Sequence, residues 1–445
     1  MRVAVISHGP TEGGINRFTL ALIDALVLAR PDIEIGFFIN GEVAARDGIE
    51  RLYAQSDRVR VVPFMDPDVG AYYSPIVGQA AHAWPKSPAW RLAGRLAKSS
   101  PITHEWGLRG VNAYRRWIRR RGKPWYQFRF PATIVRQIEQ YDIAYSANPF
   151  FMAPVHFAIP FLGTFHDLNY KHFGRNFPPD MLAIIERQMP YWIHESVRVI
   201  SSTRVIESEI VAHYPEAQHK TSVVYLAPYS YDETLHQRAA AVVQRSGLPD
   251  RYLVYPANRS THKNILSLVK AMGLLKAQGR AIPLVVTGGG TDLIASAAEL
   301  QDDDPLKAVR RAMDDGGMML GRDIFALGYV SDEQVDAITH QATMVVSTSL
   351  YEAGCGPAMD AWQWGVPVAF SNIPPFIEQL DALNVQAWVF DPLDPANIAD
   401  VIGDALSSPR TEDMVRQSSE AISRYTWADV ARGYLTAFDA ALPLT

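Results

Sequence analysis

An α/β chain made of two successive parallel-sheet units is the fold class the sequence predicts, and three observations predict it. Short, continuous apolar runs such as RVAVIS, YLVYP and MVVSTSL recur along the chain, with no wet alternate face, as strands buried on both sides require. Stretches with apolar residues at helical spacing alternate with those runs, as crossover helices do. The alternation then restarts after a polar helical passage near Ala227–Leu248, so the chain holds two halves of similar design. At 445 residues each half is long enough for a core of its own.

In the first half, Arg2–Ser7 reads as a strand. Gly13 and Gly14 open a helix with Ile15, Phe18, Leu22 and Leu26 on one face. Ile33–Ile39 and Val59–Pro63 read as strands. This β–Gly-turn–α–β start is Rossmann-like but lacks G-x-G-x-x-G, which argues against a dinucleotide site. Two readings of the glycine pair stand: a tight turn, or a close backbone approach to a ligand. Ile134–Gln140 reads as a helix, and YDIAYSAN and Ile159–Thr164 as strands. The second of these ends in Phe165-His166-Asp167-Leu168, at the carboxyl end of a strand, where α/β proteins place chemistry. Arg198–Ser202 is a strand whose serines are expected to cap a helix over Thr203–Tyr214. Ser222–Leu226 closes the half.

In the second half, Tyr252–Pro256 is a strand, followed by the loop ANRSTHKN and an amphipathic helix ended by Gly279. Arg259 and Lys263 stand just before that helix, where its dipole and two cations suit an anion. Pro283–Thr287 is a strand, and Gly288–Gly290 after it is either plain loop or a ligand approach. Leu293–Gly321 reads as a polar, helical, exposed excursion. Ile324–Tyr329 is a strand, with Ser331 or Asp332 capping the next helix. Then comes YEAGCGPAMDAWQWGVPVAFSN, in which Glu352, a turn with Gly354, Cys355 and Gly356, Pro357 and Asp360 sit between two strands. A strand–turn–helix of this kind presents backbone N–H groups at a sheet's carboxyl edge. Acids beside a phosphate site fit the hydroxyls of a nucleotide sugar. Helices over Pro395–Leu406, Thr411–Ser423 and Trp427–Leu442 complete the chain.

Composition excludes several classes. A formal charge of −5 argues against a general nucleic-acid binder. The lone cysteine, Cys355, excludes a disulfide framework. No zinc-type Cys/His spacing occurs, no apolar run reaches bilayer length, and MRVAVISHG reads as a strand rather than a signal peptide; a cytoplasmic location is expected. Residues 65–130 break the alternation with basic residues interleaved with Trp and Tyr. Either this is a solvated helical insertion, or Trp84–Phe130 is a peripheral contact with a membrane face or a lipid-linked acceptor.

Glu352–x7–Asp360, Gly365-x-Pro367-Val368 and Ser371, with His166-Asp167-Leu168 and His262-Lys263-Asn264 ahead of them, resemble the motifs of the retaining GT-B glycosyltransferases of family 4, glycosyltransferase group 1. That family's signature is usually Glu-x7-Glu with a Gly-Phe-Gly turn. Here the second acid is one methylene shorter and the turn reads Ala353-Gly354-Cys355-Gly356. Most members also carry an arginine five residues before the lysine; here that position is Asn258, with Arg259 beside it. The resemblance implies a GT-B fold, two Rossmann-like domains facing a cleft. Residues 1–228 would form the acceptor-side domain and 229–420 the donor domain, and 421–445 would pack back on the first. It implies a hexose moved from a nucleotide-diphosphate sugar to a glycan or lipid-linked acceptor, with no cofactor and no metal. His166 would face the donor sugar, Glu352 its hydroxyls, and Asp360 the ribose. Lys263 and Arg259, with the amides of Gly354–Gly356, would face the diphosphate, joined by Gly13, Gly14, Asn258, Cys355 and Pro357. Tyr329 and Val330 would lie beside the base. A catalytically impaired sugar-nucleotide binder and a membrane-surface scaffold are the alternatives.

Overall fold

A computed structural model of the chain describes residues 1–7, 14–41, 44, 48–64, 131–149, 152, 154–177, 179–229 and 233–442. Gly13 and the basic, aromatic segment up to Phe130 therefore lie outside the described residues. The first half is a seven-stranded sheet in the order β3-β2-β1-β4-β5-β6-β7. Its strands are β1 (Arg2–Ser7), β2 (Glu34–Asn40), β3 (Val59–Phe64), β4 (Ile143–Ser146), β5 (Phe161–Thr164), β6 (Ser196–Ser201) and β7 (Thr221–Val223). The second is a six-stranded sheet, β10-β9-β8-β11-β12-β13. Its strands are β8 (Leu253–Pro256), β9 (Leu284–Thr287), β10 (Ile324–Ala326), β11 (Met344–Ser347), β12 (Val368–Ser371) and β13 (Trp388–Phe390). Every strand pair is parallel.

Both faces of each sheet are covered, which is why the strands are apolar throughout. Side chains alternate across a strand. Val3 and Val5 therefore enter one core with Leu22 and Leu26 of the Gly14–Ala29 helix, while Ala4 and Ile6 enter the other with Trp192 and Ile206. In β8, Leu253 and Tyr255 face the Ile265–Ala277 helix, and Val254 faces Trp362. Four details differ from the sequence reading. Ile15 is exposed, because the first turn of its helix stands clear of the sheet. Thr203, not the serines, caps the Arg204–His213 helix, accepting from the Ile206 N–H, because it is the residue with extended backbone at the cap. The Pro305–Asp315 helix buries Leu306, Val309 and Met313, so the polar excursion has an apolar face in the core. Asp304 caps that helix and is largely covered, whereas Asp302 stays in solvent.

The Trp427–Asp439 helix starts at a Thr426/Asp429 capping box and packs Val430, Tyr434 and Phe438 into the first half's core. Its Tyr434 hydroxyl bonds Thr164 Oγ1 on β5 at 2.8 Å, and Thr164 bonds Tyr145 on β4 at 2.8 Å. Three buried hydroxyls thus satisfy one another, where an orphaned one would cost about 1–3 kcal/mol. Among the described residues no helix is long and apolar enough to cross a membrane.

Candidate active site

Strand order reverses between β1 and β4 and again between β8 and β11. Ligand crevices open at such points, outside the carboxyl ends of the strands. Gly14 follows β1, the Thr261–Lys263 turn follows β8 and Glu352 follows β11, so both switch points carry residues the sequence singles out.

The lysine loop is held rigidly. Asn264 adopts a left-handed conformation (φ 52°) and its amide donates to the Pro392 carbonyl at 2.7 Å. Tyr255 Oη donates to the Lys263 carbonyl at 2.7 Å. Lys263 Nζ pairs with Glu352 Oε1, which also accepts from Ser349 Oγ at 2.8 Å. Burial is the largest single influence and works against the ammonium, but Glu352, Tyr255 and Cys355 together hold the Lys263 pKa above its ordinary value. The groups assigned to the diphosphate and to the adjoining sugar are thus each other's partners. Beside them, His262 Nδ1 receives amide donors from Asn176 (3.1 Å) and Asn169 (3.3 Å), both from the first half. Burial pulls His262 down to about 4, so its ring is neutral and accepts at Nδ1.

Across the cleft, His166 and Asp167 leave the end of β5. His166 Nδ1 bonds Ser202 Oγ at 3.1 Å, and the ring meets the Phe18 ring edge-on at 4.9 Å. Its Nε2 is buried and makes no hydrogen bond of full geometry among the described residues, although the Ala147 backbone lies close enough to favour a protonated ring. Burial pulls His166 down to about 4, so it too is neutral near pH 7. Asp167 accepts from the Asn169 N–H at 2.9 Å. Burial pushes its carboxyl up to about 6; Glu352 and Glu209 add to the rise and Lys263 opposes it. The two halves of the site therefore share one electrostatic environment.

Three groups assigned to the donor have partners within the chain. Arg259 is drawn to Asp304 (3.1 Å) and is partly exposed, while Asn258 accepts from the Ser260 N–H in a local turn. The Cys355 N–H donates to Gln379 Oε1 at 2.7 Å, and Gln379 Nε2 donates back to the Cys355 carbonyl. Asp360 is buried under residues of the first half and the crossing segment. Its Oδ1 accepts from the Tyr229 N–H at 3.1 Å, and Oδ2 lies 3.8 Å from Arg17 Nη1. Arg17 also bonds Asp336 at 2.7 Å and lies 4.1 Å over the Tyr229 ring. Gly14 and Gly356 have open space where a side chain would stand, and Pro357 sits in the first turn of the Gly356–Gln363 helix. Val330 lies just before the Asp332–His340 helix, next to an exposed Tyr329. Arg17, Tyr229, Gln379 and Tyr351 carry no motif of their own. Arg17 offered one weak signal, a cation on an apolar helix just after the glycine turn.

Residues 240–424 match the family model described as glycosyl transferases group 1. That span is a glycosyltransferase domain, and the chain is a glycosyltransferase. An uncharacterized glycosyltransferase of Methanocaldococcus jannaschii is 22% identical over 296 residues, 64% of this chain and 70% of that one. The O-antigen chain mannosyltransferase B of Escherichia coli is 25% identical over 213 residues, 47% of this chain and 52% of that one, so the match spans about half of the E. coli protein. The crystal structure of Anabaena HepE in complex with UDP and glucose superposes with a TM-score of 0.61 at 14% identity, covering 99% of this chain and 100% of that one. The architecture is GT-B, with the glycosyltransferase domain as its second half.

Proposed function

We propose that this glycosyltransferase moves a hexose, with retention, from a nucleotide-diphosphate sugar of the GDP-mannose or UDP-glucose type to a glycan or lipid-linked acceptor in surface polysaccharide synthesis at the cytoplasmic face of a membrane. The observation that carries the reading is the Lys263–Glu352 pair beyond β8 and β11, at the second half's switch point, with Asp167 of the first half near enough for both charges to act on its carboxyl. The E. coli relative named for mannosyl transfer to O-antigen chains and the Anabaena structure with UDP and glucose support the substrate class.

In this reading the leaving diphosphate lies against Lys263 and the first turn of the Gly356–Gln363 helix. Preorganised cations and dipoles there stabilise the charge that develops, typically by about 3 kcal/mol per donor group. Glu352 holds sugar hydroxyls, and neutral His166 offers Nε2 to the sugar. The acceptor oxygen bonds to the anomeric carbon on the face from which the diphosphate leaves, and the departing phosphate oxygen takes the acceptor's proton. No cofactor beyond the donor is invoked. Arg17 and Tyr229 over Asp360 favour a second reading, a sugar-nucleotide binder impaired in turnover, because the acid assigned to the ribose already has partners.

Calorimetric titration with GDP-mannose, UDP-glucose, UDP-N-acetylglucosamine and ADP-glucose tests the site. One donor should bind, and Lys263→Ala should weaken it at least tenfold, about 1.4 kcal/mol. Binding of none of them sinks the proposal, and binding without release of nucleoside diphosphate favours the impaired binder.

A further inference from the structure

Two side chains of the donor half reach across the cleft and seize backbone of the first half, and both land beside His166. Tyr351 immediately precedes Glu352. Its hydroxyl accepts from the Leu168 N–H at 2.8 Å, two residues past His166, and donates to Glu209 Oε2 at 2.7 Å. Glu209 is fixed in turn by His172 Nε2, whose ring packs against the Tyr351 ring at 4.5 Å. Glu378, on the Pro374–Leu383 helix, accepts from the N–H groups of Arg204 (2.6 Å) and Val205 (2.8 Å) and from Tyr225 Oη (2.7 Å). Those N–H groups follow Ser202, the residue that bonds His166 Nδ1. The imidazole thus sits between two turns, each pinned by the opposite domain.

We propose that Tyr351 and Glu378 are positioning residues, which dock on the 166–168 and 202–205 turns as the domains meet and so set the His166 ring for transfer. Neither needs to touch substrate. Each converts approach of the donor half into a defined place for a first-half side chain, which a cleft enzyme requires if closure is to assemble its site. The geometry suits the task. A carboxylate accepting two backbone N–H groups fixes a turn in direction as well as distance, and charge-assisted bonds of this kind are the stronger class. The Tyr351 hydroxyl, donor to one partner and acceptor from another, is aligned at both ends.

The inference rests on His166 acting in the site, and a double-mutant cycle separates the two ideas. Turnover is read as nucleoside diphosphate released from whichever donor binds, for wild type, Tyr351→Phe, Glu378→Ala, His166→Ala and the two combinations with His166→Ala. Donor affinity and melting temperature are recorded for each. Tyr351→Phe and Glu378→Ala should each lower kcat about tenfold with donor affinity within twofold of wild type. Once His166 is absent, each should cost less than twofold more. Penalties that multiply in full in the His166→Ala background overturn the positioning role, as does a wild-type kcat in Tyr351→Phe. A fall in donor affinity and melting temperature that matches the fall in kcat assigns these residues to bulk stability and overturns it as well. Wild-type turnover in His166→Ala fails the reading of the site itself, and the coupling with it.

Discussion

Removing one member of the Lys263–Glu352 pair should cost far more stability than removing both charges. The two side chains are 19% and 18% exposed, so each has given up most of its hydration, and the attraction between them compensates for that loss. Lys263→Ala leaves the Glu352 carboxylate with Ser349 Oγ at 2.8 Å and no cation. Breaking a buried pair this way costs about 3–5 kcal/mol, and the residual exposure places this one at the lower end. For a half of this size, about 3 kcal/mol corresponds to a melting shift of roughly 6–12 °C. In Lys263→Met/Glu352→Gln the charge is gone, the aliphatic stem is kept, and the Gln carbonyl still accepts from Ser349; more than half of the loss should return. Thermal unfolding of wild type, the single variants and the double variant, without donor, measures this. A drop under 2 °C in Lys263→Ala, or a double variant no more stable than the single, refutes the buried-pair argument.

Other outcomes follow from neighbouring groups. Burial pushes the Asp360 carboxyl up to about 6, so between about pH 4 and pH 6 the folded chain keeps a proton that the unfolded chain releases, and stability is lost as pH rises through that window. Asp360→Asn does not titrate, so its stability relative to wild type should grow by up to about 3 kcal/mol from pH 4 to pH 7 in urea denaturation; an unchanged difference contradicts the assignment. The Cys355 thiol is buried and pushed up to about 12 by that burial, so it should resist a thiol reagent at pH 8 until denaturant is added; fast stoichiometric labelling of the native protein would show otherwise. Gly288 has φ +145°, and a Cβ there would stand 2.4 Å from the Ala257 carbonyl oxygen, so Gly288→Ala should cost roughly 3 kcal/mol; a melting temperature equal to wild type rules out the required backbone.

The parallel strands and their order of appearance were legible because burial on both faces leaves an unambiguous signature, a continuous apolar run closed by a turn residue. The caps were less so. Ser201, Ser202 and Thr203 are equivalent in sequence, and only the extended backbone at Thr203 selects it. The Pro305–Asp315 helix was legible as a helix and misjudged as exposed, because its four buried positions are spaced among Lys, Arg and Asp that dominate its composition. In the site, the residue types were legible and the pairings were not. Lys263, Glu352 and His166 announce themselves through motifs and strand ends. Which acid meets which base depends on contacts across the cleft, and Arg17 lies more than three hundred positions from Asp336 and Asp360.

That mismatch bears on the chemistry. A lysine assigned to a diphosphate and a glutamate assigned to sugar hydroxyls are natural partners, because the sugar is bonded directly to the diphosphate and the two lie within one side chain's reach of each other. Glu352 favours the charged form of Lys263, and Glu352 is oriented because Ser349 and Lys263 hold the same oxygen. Among the described residues no hydrogen bond reaches its second carboxylate oxygen, so the pair is compatible with a donor that adds a phosphate to the lysine and a hydroxyl to the glutamate without separating them. Asp360 differs in kind. Both of its oxygens have neighbours, and Arg17 is shared with Asp336, so engaging a ribose there requires the guanidinium to yield one carboxylate while keeping the other. An arginine held by two acids makes that exchange inexpensive, since the stronger contact, to Asp336 at 2.7 Å, is retained while the 3.8 Å contact to Asp360 is given up. Movement of the Gly14–Ala29 helix away from the second half would loosen both contacts together, because Asp336 and Asp360 both belong to that half.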